Sequence, residues 1–382
     1  MAYNWIFKNA KGDRYIWLVV IFLSLFSLLA VYSSTGTLAY KKQHGNTEYY
    51  IYKHITLMIA GLFLMYWAHK LDYRYYSKIA QILLFVSFPL LAYTILMGEK
   101  INQASRWITI PVIDQSFQTS DLAKLAIIMY LARELSRRQE NIKDLKKSFL
   151  PIIGAVVLTI ALIAPANFST ALMLFATCCL IMLIGRISVK HILTTGAAGV
   201  MILVLVVFFG PRRETYKSRI KTFTSNETVD KDKSFQSDQS KIAIATGGLF
   251  GKGPGNSSQK NYLPHPYSDF IFSIIIEEYG MIGALMIIIA YLVFLYRSIK
   301  IVTKAPKAFG ALLACGLSFS LVIQAFANMA VAVNLMPVTG VPLPLVSMGG
   351  TSILFTSVAF GIILSVSRDI EEIEKGAELA TA

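Results

Sequence analysis

One carboxylate stands alone at the start of a long apolar run. No Asp or Glu occurs from Gln239 to Ser268, and Asp269 then directly precedes the run that begins at Phe270. A lone carboxylate beside a basic segment can act as a general base that takes a proton from a hydroxyl nucleophile. Asp in front of an apolar helix is also a common N-cap. For Asp269 the sequence therefore leaves catalysis, helix capping or both open.

Four other charged residues fall inside or close to apolar runs. Asp121 and Lys124 are spaced i, i+3, which places both on one helix face and favours a local ion pair. Positioning of a substrate phosphate is the alternative for this pair. Glu277 and Glu278 follow Asp269 by eight and nine residues. Because charges at membrane depth are costly, we expect these two acids to form a structural ion pair or to act directly at a site.

The segment that precedes Asp269 is basic and rich in glycine. Residues 210–268 carry ten Lys or Arg and five Asp or Glu, which favours an anionic ligand such as a phosphate-bearing lipid, with a merely solvated loop as the alternative. Residues 247–255 read GGLFGKGPG. They resemble a phosphate-binding loop, but Lys252 is followed by Gly and not by the Ser or Thr of a Walker A motif. A tight-turn role for these glycines is equally open.

Several other catalytic classes lack their motifs. The sequence contains neither a His-Glu-x-x-His helix nor a Gly-x-Ser-x-Gly elbow, and its five histidines show no ligand spacing. Cys178, Cys179 and Cys315 lie in apolar runs, where we expect small packing residues. Zinc and serine hydrolases are therefore excluded. A divalent cation such as Mg or Mn could assist the chemistry, but no ligand set for it is visible.

Composition identifies the elements that must position these residues. Of the 382 residues, 55% are hydrophobic and 15% are charged, against about a quarter charged in soluble proteins. This apolar excess is too large for soluble cores and predicts an all-α polytopic membrane protein with about ten transmembrane helices. The predicted spans are residues 15–34, 54–69, 79–97, 121–135, 150–165, 169–185, 191–210, 269–296, 308–334 and 345–367.

The distribution of Lys and Arg predicts the orientation of these spans. Among the termini and short loops, one side carries 20 of these bases and the other side carries five. By the positive-inside rule both termini are cytoplasmic, and residues 210–268 form a long extracytoplasmic loop between helices 7 and 8. We expect a cytoplasmic N-terminus at 1–14, a membrane domain at 15–367 that includes this loop, and a cytoplasmic tail at 368–382. The net charge of +14 then mostly reflects topology, and no nucleic-acid partner is expected.

Short motifs in a fixed order extend from about residue 104 to residue 368. They include RWI at 106–108, QTSDLAK at 118–124, NSSQK at 256–260, SDFIF at 268–272, EEYG at 277–280, and PVTG and SMGGTS between 337 and 352. In order and spacing they resemble the SEDS family (shape, elongation, division and sporulation), whose best-known members are FtsW and RodA. The NSSQK run is closer to FtsW and PVTG is closer to RodA. A role in cell division is favoured over a role in elongation.

This resemblance implies a peptidoglycan glycosyltransferase that polymerises lipid II into glycan strands during septal wall synthesis in the bacterial cytoplasmic membrane. It implies Asp269 as the catalytic carboxylate, on the extracytoplasmic side. A class B penicillin-binding protein transpeptidase and other division proteins are the implied partners. The candidate substrate-binding residues are Arg106, Trp107, Arg219, Lys252, Gln259, Lys260 and Ser347. Asp121, Lys124, Glu277 and Glu278 are expected to support the site.

The chain departs from the family pattern at two acidic positions. Asp121 stands where the family usually has Glu, so this acid is one methylene shorter. His265 replaces the Glu of a Leu-Pro-Glu stretch, so a second carboxylate near Asp269 is absent. An inverting transfer from an α-linked donor to a β-linked glycan needs one base. The alternatives are a flippase or transporter of lipid-linked precursor, an elongation-type polymerase, and a non-catalytic scaffold that recruits a transpeptidase.

Overall fold

Eleven α-helices account for most of the described residues. The structure is a computed structural model that describes residues 11–36, 47–101, 104–110, 115–209, 231–263 and 266–381. Its helices are α1 (Arg14–Ser34), α2 (Thr47–Lys70), α3 (Tyr76–Met97), α4 (Thr119–Arg137), α5 (Leu150–Ile163), α6 (Phe168–Ile184), α7 (Val189–Phe209), α8 (Lys231–Gly247), α9 (Ile271–Lys304), α10 (Ala308–Ala332) and α11 (Ser352–Thr381). Ten of them overlap the ten predicted spans, and α8 lies within the predicted long loop.

Seven helices of the described chain are long and apolar enough to cross a membrane. They are α1, α2, α3, α5, α9, α10 and α11, with short turns at Tyr73–Tyr75 and Leu145–Phe149 extending α3 and α5. The helix α6 and the apolar part of α7 are shorter. The helix α4 is less apolar because it carries charged side chains, among them Asp121 and Glu134, which are buried within the protein. The predicted polytopic membrane fold is confirmed.

A three-stranded antiparallel sheet lies between α3 and α4, where the sequence analysis predicted no regular structure. Its strands are β1 (Glu99–Ile101), β2 (Ala104–Ile110) and β3 (Gln115–Gln118), in the order β1-β2-β3. The register pairs Trp107 with Gln118, the residue that directly precedes α4. The Thr351 hydroxyl donates to the Ser116 carbonyl oxygen at 3.1 Å. The sheet therefore joins the start of α4 to the start of α11.

The helices α1 and α9 run antiparallel and are joined at both ends. At one end the Asp13 carboxylate caps α1 and pairs with Arg297 at 2.5 Å between Oδ2 and Nη2. At the other end the Ser33 hydroxyl donates to the Glu278 carboxylate. The 21 residues of α1 extend about 31 Å, close to the thickness of a hydrocarbon core. Glu278 therefore lies about one hydrocarbon-core thickness from Arg297.

The helix α9 is interrupted at Gly280. This residue has a φ of 67° and a ψ of −167°, a conformation open almost only to glycine. The interruption frees backbone N–H groups, and those of Met281 and Ile282 donate to the carbonyl oxygens of Gly248 at 3.0 Å and Leu249 at 3.4 Å. The segment that follows α8 thus replaces hydrogen bonds that the helix has lost.

The same segment also satisfies the carbonyl groups before the interruption. The N–H groups of Lys252 and of the next residue donate to the carbonyl oxygens of Glu277 at 2.9 Å and Glu278 at 3.0 Å. The two backbones are so close that a Cβ added to Gly251 would lie 2.2 Å from the Glu278 carbonyl oxygen. The glycines of residues 247–255 therefore serve this close approach, which agrees with the tight-turn alternative and not with a phosphate cradle.

We predict that Gly280→Ala destabilises the protein. The added Cβ would lie 2.2 Å from the Leu249 carbonyl oxygen, and alanine is strained at this φ. The expected loss is at least about 1–3 kcal/mol, the cost of a residue in a sparsely populated backbone region. Thermal unfolding in detergent measures the loss as a lower midpoint. Gly154→Ala is the matched control, because a Cβ there meets nothing within 4 Å. Equal midpoints for the two variants would contradict the prediction.

Candidate functional site

Asp269 lies one residue before the N-cap of α9. The cap position is Phe270, which has no side-chain capping bond. The Asp269 side chain is half-exposed, and the Ser268 hydroxyl donates to its Oδ1 at 2.9 Å. Because another residue occupies the cap position, the structure does not support the capping role that the sequence had left open for this carboxylate.

Two side chains hold the backbone of the segment that carries Asp269. Asn328 on α10 donates through Nδ2 to the carbonyl oxygens of Asp269 at 3.0 Å and Val341 at 2.8 Å. Ser347 donates through its hydroxyl to the carbonyl oxygen of Ser268 at 2.6 Å. Both donors are buried. The position of Asp269 is therefore fixed through the backbone, by α10 and by the segment between α10 and α11.

A second amide, one helical turn from Asn328, connects this region to α4. Gln324 donates through Nε2 to the Pro342 carbonyl oxygen at 2.9 Å and accepts through Oε1 from Lys124 Nζ at 2.8 Å. Lys124 Nζ also lies 3.4 Å from Asp121 Oδ1, so the predicted local ion pair is present. The two amides were not selected from the sequence, although polar side chains spaced i, i+4 in an apolar span indicate buried partners.

A small pocket lies beside this ion pair. Asp121, Lys124, Asn167 and Gln324 line it, together with Pro342. Asp121 is buried, and its Oδ2 has no hydrogen-bond partner among the described residues. An unsatisfied buried carboxylate oxygen is costly. Asp121 therefore combines a partly compensated negative charge with a lining position in this pocket.

Glu277 and Glu278 form a second buried cluster, on α9 just before its interruption. Glu277 accepts from Lys252 Nζ at 2.6 Å, from the Ser257 hydroxyl, and from the N–H groups of the next two residues at 3.1 and 3.2 Å. Glu278 accepts from the Ser33 hydroxyl and from the Ser257 N–H at 3.3 Å. Both carboxylates have the partners that their burial requires. Lys252, predicted to bind substrate, pairs with Glu277 in the structure.

Three further substrate-binding predictions fall on Ser347 and on strand β2. The Ser347 hydroxyl accepts from the Leu343 N–H at 2.8 Å and donates to the Ser268 carbonyl oxygen, so backbone groups occupy it. Trp107 is half-buried in β2, and Arg106 directly precedes it. Ser347 therefore holds the backbone next to the candidate carboxylate. The strand β2 pairs instead with β3, which leads into α4.

The remaining predicted residues, Arg219, Gln259 and Lys260, lie in the basic segment that precedes Asp269. Gln259 contacts the second cluster through its N–H, and its Oε1 is buried without a partner among the described residues. Lys260 Nζ donates to the Gly255 carbonyl oxygen at 2.7 Å. Arg219 and His265 lie outside the described residues. In the described part of the chain no three His, Cys, Asp or Glu side chains are grouped to hold a metal ion, and a need for Mg or Mn stays a prediction.

Tyr267 is a further polar group near Asp269 that the sequence analysis did not select. Burial raises the pKa of Tyr267, and the neighbouring Tyr50 and the negative charge of Asp269 raise it further. The phenol is therefore protonated at neutral pH and retains a hydroxyl proton to donate. The Met348 N–H donates to the Tyr267 carbonyl oxygen at 2.9 Å, so the segment between α10 and α11 also holds this residue.

These features define a polytopic helical membrane protein with a polar pocket where α4 and α10 meet the segment between α10 and α11. The profile of the FtsW/RodA/SpoVE family, described as cell cycle proteins, matches residues 13–372. Because the match covers nearly the whole chain, the protein belongs to this family.

Individual relatives match over nearly their full length. The protein named "Probable peptidoglycan glycosyltransferase FtsW" of Trichlorobacter lovleyi is 33% identical over 368 residues, covering 96% of this chain and 95% of the relative. Stage V sporulation protein E of Bacillus subtilis is 32% identical over 368 residues, covering 94% and 98%. A solved peptidoglycan synthase complex matches with a TM-score of 0.72 at 23% identity, covering 94% and 98%. RodA of Thermus thermophilus matches with a TM-score of 0.69 at 24% identity, covering 94% and 97%. These structures share the fold.

We predict that Lys252→Met destabilises the protein without weakening substrate binding, because it leaves the buried Glu277 carboxylate without its cation. Breaking a fully buried pair costs roughly 3–5 kcal/mol, and the partial exposure of Lys252 reduces this figure. Thermal unfolding in detergent measures the loss. Lys241→Met is the matched control, since Lys241 pairs with Asp238 at the surface and exposed pairs contribute about 0–1 kcal/mol. An unchanged midpoint with a raised KM would instead assign Lys252 to the substrate.

Proposed function

We propose that this protein is a peptidoglycan glycosyltransferase that polymerises lipid II into glycan strands, with Asp269 as its catalytic base. The observation that carries the proposal is a half-exposed carboxylate whose backbone is held by two buried donors, Asn328 and Ser347. General-base catalysis requires a carboxylate in a fixed position. Relatives named as probable peptidoglycan glycosyltransferases support the same activity.

The reaction that we assign to the site is an inverting glycosyl transfer. Asp269 accepts the proton of the acceptor sugar 4-hydroxyl while the hydroxyl oxygen attacks the anomeric carbon of the donor. The bond between that carbon and the pyrophosphate oxygen breaks, and the electron pair leaves with the lipid pyrophosphate. Because the α-linked donor gives a β-linked glycan, one displacement suffices and no covalent enzyme intermediate forms.

The leaving pyrophosphate needs positive charge as it departs. Lys252 is paired with the buried Glu277, so we assign this role to the other predicted cations, Arg106, Arg219 and Lys260. Trp107 and Gln259 are assigned to the same substrate. Since Lys124 lines the small polar pocket beside Asp121, it supports the same negative charge from the α4 side.

A second, mostly apolar pocket also borders the Asp121–Lys124 pair. Leu125, Ile128 and Phe355 are among its lining residues. The same ion pair lines both pockets, so the polar and apolar volumes meet at it. We propose that the polyprenyl chain lies in the apolar pocket while the headgroup faces the polar one.

The cellular setting that we propose is septal wall synthesis in the bacterial inner membrane. A class B penicillin-binding protein is the proposed transpeptidase partner, with other division proteins. The sequence similarity to proteins named FtsW favours division over elongation. We place both termini in the cytoplasm and Asp269 outside, with the membrane domain at 15–367 between terminal segments 1–14 and 368–382, because Lys and Arg concentrate on the side of the termini.

The orientation predicts which exposed residues an impermeant thiol reagent reaches in intact cells. After the three native cysteines are replaced by Ser, Tyr262→Cys is expected to react and Lys375→Cys to stay unlabelled until the membrane is opened. Both side chains are well exposed, so accessibility in the folded protein does not limit either reaction. The reversed labelling pattern would overturn the assigned topology.

We predict that Asp269→Asn and Asp269→Ala abolish polymerisation by the purified protein. Loss of a general base lowers kcat by about 10²–10⁴-fold. The assay is gel analysis of glycan strands made from labelled lipid II in detergent, with and without the transpeptidase partner. Asp238→Asn is the matched control, because this acid is exposed on α8. Unchanged thermal midpoints are expected for all three variants.

Two outcomes would reject parts of this proposal. Polymerisation that survives in Asp269→Asn would remove this residue from the chemistry. A folded protein that makes no polymer in detergent, even with its partner, but moves labelled lipid II across vesicles would be a flippase, since detergent removes the sidedness that transport needs.

A further inference from the structure

The segment between α10 and α11 contains a strained residue that its surroundings hold in place. Leu345 has a φ of 60°, in the left-handed region where a residue with a Cβ is strained. Such a conformation persists only where neighbouring contacts fix it. Leu345 lies two residues before Ser347, whose hydroxyl holds the Ser268 carbonyl group. The strained turn therefore determines the position of the Ser347 hydroxyl group that holds Ser268.

The carbonyl groups on both sides of Leu345 are bound by buried hydroxyl groups from other helices. Tyr291 on α9 donates to the Pro344 carbonyl oxygen at 2.5 Å, and Ser27 on α1 donates to the Val346 carbonyl oxygen at 2.8 Å. Both hydroxyl-bearing side chains are completely buried. The carbonyl groups of the residues before and after the strained one are thus fixed from two different membrane helices.

Ser27 is itself held by His54 on α2. His54 is completely buried, and its Nε2 lies 2.8 Å from the Ser27 hydroxyl oxygen. The single hydroxyl proton of Ser27 goes to the Val346 carbonyl oxygen, so the hydroxyl oxygen must accept from the Nε2–H of His54. This proton count assigns the Nε2–H tautomer and leaves Nδ1 as an acceptor without a partner among the described residues.

A continuous path of three hydrogen bonds and two chain connections joins His54 to the candidate base. It runs through His54, Ser27, Val346, Ser347, Ser268 and Asp269. Every side chain that donates along this path is buried, so water cannot readily replace a lost bond. A change at α2 is therefore transmitted to the backbone next to the carboxylate.

We propose that His54 is a positioning residue for Asp269 and acts through Ser27 and the Leu345 turn. The inference rests on the proposed function, because it concerns the carboxylate assigned there as the base. Without the Nε2–H donor, the Ser27 hydroxyl is free to rotate and release the Val346 carbonyl group. The turn then relaxes, and Asp269 loses its alignment with the acceptor hydroxyl. Substrate contacts made elsewhere are kept, so the loss falls on kcat and not on KM.

His54→Gln and His54→Asn separate the hydrogen bond from the packing. A glutamine amide nitrogen can stand where the histidine Nε2 stands, whereas the shorter asparagine amide matches Nδ1 and does not reach Ser27. Because small misplacements cost up to about a hundredfold, we expect His54→Asn to lower kcat for lipid II polymerisation by about ten- to a hundredfold, with KM within about twofold. His54→Gln is expected to keep kcat within about threefold.

Ser27→Ala tests the next step of the path with a smaller change. It removes one hydroxyl group, and it is expected to lower kcat to the level of His54→Asn. Ser24→Ala is the matched control, since Ser24 lies one turn away on α1, is buried, and has no hydrogen-bond partner among the described residues. The double variant of Ser27→Ala and His54→Asn is expected to lose no more than either single variant, because both break the same path.

Asp269→Asn, measured beside these variants, separates this inference from the proposed function. An active Asp269→Asn enzyme would overturn the assignment of Asp269 as the base, and the positioning role with it, whatever the His54 variants do. An inactive Asp269→Asn enzyme with full kcat in His54→Asn and Ser27→Ala would overturn only the positioning role. Equal losses in His54→Gln and His54→Asn would also overturn it, since packing would then be responsible. If His54→Asn yields no folded protein, Ser27→Ala against Ser24→Ala decides the question.

Discussion

Backbone polar groups inside a membrane bundle need partners that lipid cannot supply, and this chain interrupts regular helix at two such places. At Gly280 the partners are backbone groups of the glycine-rich segment after α8. Between α10 and α11, residues 333–351 contain no regular helix, and buried side chains of α1, α9 and α10 supply the hydrogen bonds. The glycines, the buried amides and the placement of Asp269 all follow from these two requirements.

The two interruptions differ in what they leave available for chemistry. At Gly280 the backbone of α9 packs so closely against the glycine-rich segment that no Cβ fits. The buried Glu277 carboxylate beside it accepts hydrogen bonds from four donors. Beside the second interruption, Asp121 Oδ2 and Asn328 Oδ1 are buried without a partner among the described residues. A fully satisfied cluster stabilises the fold, whereas unsatisfied acceptors beside a pocket can bind a ligand. The candidate site that we propose therefore lies beside the second interruption.

The sequence sufficed for the features that depend on local pattern. Apolar runs located ten helices and i, i+3 spacing paired Asp121 with Lys124, whereas the interruption of α9 at Gly280 was not predicted. The sheet at 99–118 was not predicted, because its short strands show no strong alternation of apolar and polar residues. The pairing of Lys252 with Glu277 was not predicted for another reason, because the two residues lie 25 positions apart. Whether a lysine contacts a carboxylate or a substrate depends on the folded chain. Local residue spacing does not indicate contacts between residues that are distant in the sequence.

Lys124 is held by two side chains, the Asp121 carboxylate and the Gln324 amide. Its ammonium lies 3.4 Å from the Asp121 Oδ1 but 2.8 Å from the Gln324 Oε1, so a neutral amide makes the closer contact. A carboxylate offsets more of the local charge of a neighbouring cation than a neutral amide does. Lys124 also lines the pocket beside this pair. The pocket therefore presents positive charge, which suits a ligand that carries phosphate.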